Sequence, residues 1–91
     1  LLFTHESMLR HEPPRGHPEH PGRLRAVLDA LDDMPLGCRA APRASVEAIA
    51  RVHPVAYVQA LDAAFAEAAH DSVQLDADTH ISAGSREAAY R

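Results

Sequence analysis

One stretch near the start of the chain reads Gly16-His17-Pro18-Glu19-His20-Pro21-Gly22-Arg23-Leu24. Its prolines fix their own φ angles and push the residue before each of them toward extended backbone. Its glycines allow backbone conformations that other residues resist. The stretch therefore predicts a stiff polar loop that presents two imidazoles, a carboxylate and a guanidinium in fixed directions. The pattern that follows the loop is helical.

The rest of the chain alternates between extended and helical patterns. The predicted elements are strands at 1–4 and 38–41, a helix from Pro21 that ends before Pro35, a short helix capped by Ser45, a longer helix from Pro54, and a last helix capped by Ser85. Residues 5–15 are predicted as a loop and residues 73–80 as an irregular extended segment. This order favours the first part of an α/β domain.

Composition places the chain among globular proteins, with 24% charged and 46% hydrophobic residues. The formal charge of −4 with neutral histidines argues against a nucleic-acid-binding chain. No apolar run is long enough to span a bilayer, so we expect no membrane partner. A single cysteine, Cys38, excludes an internal disulfide and suits a reducing compartment. We therefore expect a cytoplasmic protein in which Cys38 is a small buried hydrophobe.

Seven histidines in 91 residues raise the question of a metal site. His17 and His20 have His-x-x-His spacing, but the prolines disfavour a helix there, so the spacing loses its geometric meaning. We favour a loop whose His and Glu side chains bond to neighbouring backbone. Asp76 and Asp78 alternate as on a strand and could bind a cation or share a proton. Solvation of a loop is the interpretation that we favour for them.

Arg23 stands in the first turn of the predicted helix, where a positive charge is unfavourable for the helix dipole. An arginine in this position indicates a partner or a ligand, and a salt bridge to Glu19 or to an aspartate is the structural alternative. The sequence contains no nucleophile elbow, no phosphate-binding glycine loop and no Cys-x-x-Cys pair.

Three blocks of the sequence resemble the histone deacetylase-like family, which includes acetylpolyamine amidohydrolases and acetoin-utilisation proteins. Residues 16–24 are similar to its GHPExPxRL signature, and residues 51–58 are similar to its V-H-x-x-x-Y-V/L element. Residues 75–89 resemble its D-x-D-T-x-x-S-x-x-S-x-E-A-A segment. The blocks occur in the order of the family and at about its spacing.

The resemblance implies an α/β fold of the arginase/deacetylase type, with a parallel sheet flanked by helices. It implies a zinc-dependent hydrolase that removes acetyl groups from acetyl-lysine or acetylpolyamine-type substrates. The family's metal ligands and catalytic residues lie in motifs that this sequence does not contain. We therefore expect neither a catalytic residue nor zinc in residues 1–91, and we interpret them as the N-terminal part of a single, truncated deacetylase-like domain.

The resemblance also assigns one residue to the substrate or product. Arg23 matches an arginine at the inner end of the family's active-site channel, near the acetate product, where a guanidinium can hold a carboxylate bidentately. The positions that match structural parts of the family motifs are His17, Pro18, Glu19, His53 and Tyr57.

Two alternatives stand beside this interpretation. One is a non-catalytic small module that binds a partner through a strand edge or through helix faces. The other is a His-rich metal-binding module. The small size and high alanine content also predict a thin core, exposed apolar surface and a tendency to self-associate.

Overall fold

The computed structural model of the protein describes residues 1–91. Its elements are β1 (Leu2–Thr4), a 3-10 helix (Glu6–Arg10), α1 (Pro21–Asp32), β2 (Cys38–Ala40), α2 (Val46–Ile49), α3 (Val55–Glu67), β3 (Val73–Asp76), β4 (Thr79–Ile81) and α4 (Ser85–Tyr90). None of the helices combines the length and the apolar composition that a membrane span requires.

The four strands form two separate pairs. Strands β1 and β2 are parallel, with Leu2 opposite Cys38 and Thr4 opposite Ala40. The connection between them carries α1, because parallel neighbours need a crossover. Strands β3 and β4 form an antiparallel hairpin. The fold is therefore a small mixed helix and strand arrangement, with one short parallel sheet and one antiparallel pair outside it.

The loop prediction for residues 5–15 is wrong at residues 6–10, whereas residues 73–80, predicted as an irregular extended segment, are extended. Residues 6–10 form a 3-10 helix, which is capped because the imidazole of His5 accepts the N–H of Ser7 at 3.2 Å. The segment predicted as irregular at 73–80 is part of the β3–β4 hairpin. A carboxylate oxygen of Asp76 accepts the N–H of Asp78 at 2.9 Å, and this bond orders the turn of the hairpin.

Two single-residue predictions are also wrong. Ser85 is the first residue of α4 rather than its N-cap, because Gly84 occupies the capping position. The Ser85 hydroxyl instead accepts the N–H of Ser82 at 2.8 Å. Cys38 is exposed rather than buried, because β2 belongs to a two-stranded sheet and all three of its residues are open to solvent.

The hydrophobic core lies where α3 and α4 meet the hairpin. Its buried members are Phe65, Ala68, Ile81 and Tyr90. Eight of the 91 residues are buried, and no residue of α1 is among them, although α1 carries the predicted apolar stripe. The core is therefore thin, and large apolar side chains are exposed at several places, as predicted.

A close backbone approach joins the 3-10 helix to the start of α4. Gly84 faces the backbone of Arg10 so tightly that a Cβ on Gly84 would overlap the Arg10 carbonyl oxygen. Because the obstacle is backbone and not a flexible side chain, it cannot move aside cheaply. The absence of a side chain at Gly84 therefore permits this contact.

We expect Gly84→Ala to lower the free energy of unfolding by about 1 to 3 kcal/mol, because the added methyl group must push the two segments apart. Gly37→Ala is the matched control, since its Cβ would meet only the Leu1 side chain at 3.6 Å. Urea denaturation followed by circular dichroism measures both variants. Equal effects of the two substitutions would contradict the close approach.

Candidate functional site

Residues 16–20, here called the HPE loop, form the stiff turn that the sequence predicts. Gly16 has a φ of 85°, in the left-handed region that favours glycine. The N–H of His17 donates to the Pro14 carbonyl at 3.1 Å and closes the turn. Pro21 then begins α1, where its missing N–H has no helical partner to lose.

His17 joins the HPE loop to the hairpin. Its Nδ1 accepts the N–H of Glu19 at 3.1 Å, so in the neutral ring the proton is on Nε2. Nε2 donates to the carbonyl oxygen of Asp78 at 3.2 Å. The His17 ring also meets the His80 ring edge-on, with the centroids 5.4 Å apart. The first and third sequence blocks are therefore in direct contact.

The hairpin side of this contact contains His80 and Asp76. The Nδ1 atom of His80 is buried and has no hydrogen-bond partner. The pKa of Asp76 is lowered, chiefly by the N–H of Asp78, then by the hydroxyl of Thr79, and least by the charge of His80. Asp76 therefore orders the turn of the hairpin from the end of β3, rather than solvating a loop.

A second set of bonds ties the chain before the HPE loop to the start of α4. Nδ1 of His11 lies 2.8 Å from the hydroxyl of Ser85. The N–H of Glu12 donates to the Ser82 hydroxyl at 3.1 Å. On its other side, Nε2 of His11 lies 3.9 Å from the carboxylate of Glu19. The HPE loop thus has a histidine neighbour at a second point, His11, beside its bond through His17.

Arg23 is exposed and takes part in none of the ion pairs of the chain. The predicted alternative, a salt bridge to Glu19, is not formed, because Glu19 faces His11 instead. The guanidinium borders a hollow of about 190 Å³ between the 3-10 helix and α1. It is therefore free to bind a carboxylate that comes from outside the described chain.

His53 and Tyr57 stand at the start of α3, and both are exposed. Their rings lie 5.5 Å apart and tilted by 33°. Both border an apolar groove of about 390 Å³ between α2, α3 and α4, whose floor includes Phe65 and Tyr90. Tyr57 also lines a second hollow with residues 75–79 of the hairpin. The second sequence block therefore adjoins the third.

Asp62 forms the polar floor of the apolar groove. It accepts hydrogen bonds from Nε of Arg86 at 2.9 Å and from the hydroxyl of Tyr90 at 3.1 Å. The guanidinium groups of Arg43 and Arg86 lie over the Tyr90 ring, 4.2 and 5.1 Å from its centroid. The hydrogen bond from Arg86 is the main cause of a lowered pKa of Asp62. Burial, and then the Asp62 carboxylate, raises the pKa of Tyr90.

This network is not among the features predicted from the sequence. The sequence does contain one signal of the network: Asp62 is the one charged residue of α3 before Glu67. A lone carboxylate on an otherwise apolar and alanine-rich helix indicates a partner on the packing element, since unpaired charges are rarely kept on such a face.

The described residues do not fit a zinc ion. No three side chains of His, Cys, Asp or Glu converge at a point where a metal could be held. His17 and His80 are neighbours, but both nitrogens of His17 are used by backbone groups, and His20 is exposed. The His-rich metal-binding alternative therefore has no supporting geometry in residues 1–91.

In comparisons with known proteins, no family model, no curated protein and no solved structure matches the chain.

We expect Tyr90→Phe to lower the free energy of unfolding by about 1 kcal/mol, because it removes a hydrogen bond to a charged carboxylate at the core. Tyr57→Phe is the control, since Tyr57 is 53% exposed. Thermal and urea unfolding measure the free energy of unfolding of the two variants. A loss at Tyr57 as large as the loss at Tyr90 would contradict the assigned role.

The lowered pKa of Asp62 has a consequence for acid stability. A carboxyl group whose pKa is lower in the folded than in the unfolded chain stabilises the fold above its unfolded pKa. That stabilisation is lost as the pH falls through the lower, folded pKa, so we expect the loss to begin below about pH 4. Asp62→Asn should be less stable than the parent at neutral pH, and the difference should shrink toward about pH 2. A constant difference across a urea series at several pH values would refute this prediction.

Proposed function

We propose that the chain forms the N-terminal part of a zinc-dependent amide hydrolase of the histone deacetylase-like family. The proposed substrates are acetyl-lysine or acetylpolyamine-type amides. The proposed fold of the whole domain is the arginase/deacetylase type, with a parallel sheet flanked by helices. The support is the set of three sequence blocks at residues 16–24, 51–58 and 75–89, in the family's order and at about its spacing.

One structural observation carries the proposal: the first block and the second block each lie against the third. His17 of the first block bonds to Asp78 of the third, 61 positions away in the sequence. Tyr57 of the second block lines a hollow with Asp76 and Thr79 of the third. Motifs that serve one site must come together in the fold. The resemblance was drawn from the sequence alone, so these contacts are evidence in addition to it. The contacts of both blocks with the hairpin therefore support the proposal.

In this proposal residues 1–91 bind and orient, and they do not carry out the chemistry. Arg23 would hold the carboxylate of the acetate product through two parallel N–H···O bonds. The HPE loop would fix the direction from which α1 presents this guanidinium. The zinc, when bound by residues outside 1–91, would supply a Lewis acid that polarises the amide carbonyl.

The open parallel sheet supports the same proposal. Parallel sheets are normally covered on both faces, because their crossover connections place helices there. Here all three residues of β2 are exposed, and Phe3 of β1 is 52% exposed. A sheet of this kind is completed by further strands and helices in a larger α/β domain.

The proposed compartment is the cytoplasm. Cys38 carries a free and exposed thiol, which persists without oxidation in a reducing compartment. In an oxidising compartment the same thiol would be open to pairing with a second chain.

A second candidate function is a non-catalytic interaction module that associates with itself or with a partner. The observation that favours it is the exposed apolar surface beside the groove, where Val52 is 80% and Val55 is 51% exposed. Gel filtration over a range of concentrations distinguishes the two candidates when it is combined with an amide hydrolase assay. Self-association of the protein without amide hydrolysis, in the form that includes the residues after 91, would favour the interaction module.

The proposal predicts that Arg23 contributes to amide hydrolysis by the continued protein. This name stands for the chain together with the residues that would follow it in its reading frame. With zinc present, Arg23→Ala should lower kcat/KM on an acetyl-lysine peptide or on an acetylated polyamine by about 10- to 100-fold, the cost of a lost hydrogen bond to a charged group. Arg23→Lys should recover only part of the loss, because an ammonium lacks the planar fork.

Arg25→Ala is the matched control, since Arg25 is an exposed arginine two positions further along α1. It should leave kcat/KM within about twofold of the parent. Two results would sink the proposal: equal losses at the two arginines, or no amide hydrolysis by the continued protein. Amide hydrolysis by residues 1–91 alone would contradict the expectation that they contain neither a catalytic residue nor a zinc site.

A further inference from the structure

We propose that the apolar groove between α2, α3 and α4 binds a small, neutral, aromatic molecule that carries one N–H or O–H donor. The proposal is independent of the proposed function, because it uses neither Arg23 nor the HPE loop. It depends on three features of the groove: its size, its aromatic lining, and the carboxylate of Asp62 in its floor.

The groove has the dimensions and the lining of a small-molecule site. Its volume is about 390 Å³, and sites for such ligands occupy about 300 to 1,000 Å³. Eight of its ten lining residues are hydrophobic, and rings are contributed by His53, Tyr57, Phe65 and Tyr90. A flat aromatic ligand gains more against these rings than an aliphatic ligand of the same area, because aromatic pairs attract each other beyond the burial of their surface.

Asp62 supplies the hydrogen-bond acceptor that orients the ligand. Its carboxylate accepts from two donors, Nε of Arg86 at 2.9 Å and the hydroxyl of Tyr90 at 3.1 Å. A carboxylate offers about four acceptor sites, so about two remain. The side chain is 31% exposed and lines the groove, so a donor on the ligand can reach it. Because Asp62 is the only carboxylate in the lining, the ligand needs one donor.

The charges at the groove favour a neutral ligand over an ion. An anion would be repelled by the carboxylate of Asp62. An ammonium would meet the two guanidinium groups on the Tyr90 ring, those of Arg43 at 4.2 Å and of Arg86 at 5.1 Å from its centroid. Arg86 also balances the charge of Asp62 through their ion pair. A neutral donor avoids both repulsions and still bonds to Asp62.

The test is a titration of the ¹⁵N-labelled chain with indole, followed through the amide shifts in nuclear magnetic resonance spectra. Indole is neutral and flat and has one N–H, so it represents the proposed class. We expect saturable shifts centred on the groove, with a Kd of about 1 mM or tighter. 1-Methylindole has the same rings without the donor and should bind at least about threefold more weakly. Tryptamine adds an ammonium to the indole ring and should bind no more tightly than indole.

Two alanine variants separate binding in the groove from binding elsewhere. Ala89 is an exposed residue of α4 that lines the groove, so Ala89→Leu should fill part of it and weaken indole binding at least about fivefold. Ala66→Leu is the matched control, because Ala66 is an exposed residue of α3 outside the groove, and it should bind indole like the parent. Both substitutions add the same side chain at an exposed helical position, so neither disturbs a buried contact.

Four results would overturn the proposal. The first is the absence of saturable shifts at the groove up to the solubility limit of indole. The second is binding of 1-methylindole as tight as that of indole, which would show that Asp62 accepts no hydrogen bond from the ligand. The third is tighter binding of tryptamine, which would make the site one for a cation. The fourth is weaker self-association of Ala89→Leu than of Ala66→Leu in gel filtration without any indole shifts, which would assign the groove to a second copy of the chain.

Discussion

The placement of the HPE loop depends on the hydrogen bond from the His17 ring to the carbonyl oxygen of Asp78. The prolines and Gly16 make the HPE loop stiff, but stiffness alone does not place a loop against the rest of a protein. The bond to Asp78, with the edge-on contact to His80, fixes where the loop lies. Because α1 starts directly after the loop, this bond also fixes where α1 begins and where Arg23 is presented.

Local structure could be predicted from the sequence where one residue controls one element. Ser45 caps α2 through its hydroxyl, which accepts the N–H of Ala48 at 3.2 Å, as predicted. Pro21 starts α1 at its first position. The hairpin was missed because its strands have four and three residues and its turn, Ala77-Asp78, lacks the Asn-Gly or Asp-Gly signal of a tight turn. The turn is ordered instead by the Asp76 side chain, which the sequence does not distinguish from a carboxylate in a loop.

The candidate site could be predicted as a set of residues but not as a set of contacts. His17 was singled out by its place in the HPE loop, whereas its acceptor is a backbone carbonyl, which leaves no mark in a sequence. The same holds for Gly84, whose role is to lack a side chain opposite the backbone of Arg10. Asp62 left a signal, a lone carboxylate on α3, but its partners lie 24 and 28 positions further on. Long-range pairing of this kind is decided by tertiary packing, which periodicity does not encode.

The balance between polar contacts and core explains why these bonds matter so much here. With eight residues buried, hydrophobic burial contributes little to fixing one segment against another. The 3-10 helix, the HPE loop and α4 are joined instead by imidazoles, hydroxyls and the Gly84 approach, and such contacts fix direction well while adding little net stability. At the same time the apolar stripe of α1 is at most half-buried, and β2 is exposed. The chain is therefore well defined in its polar contacts, while much of its apolar surface remains uncovered.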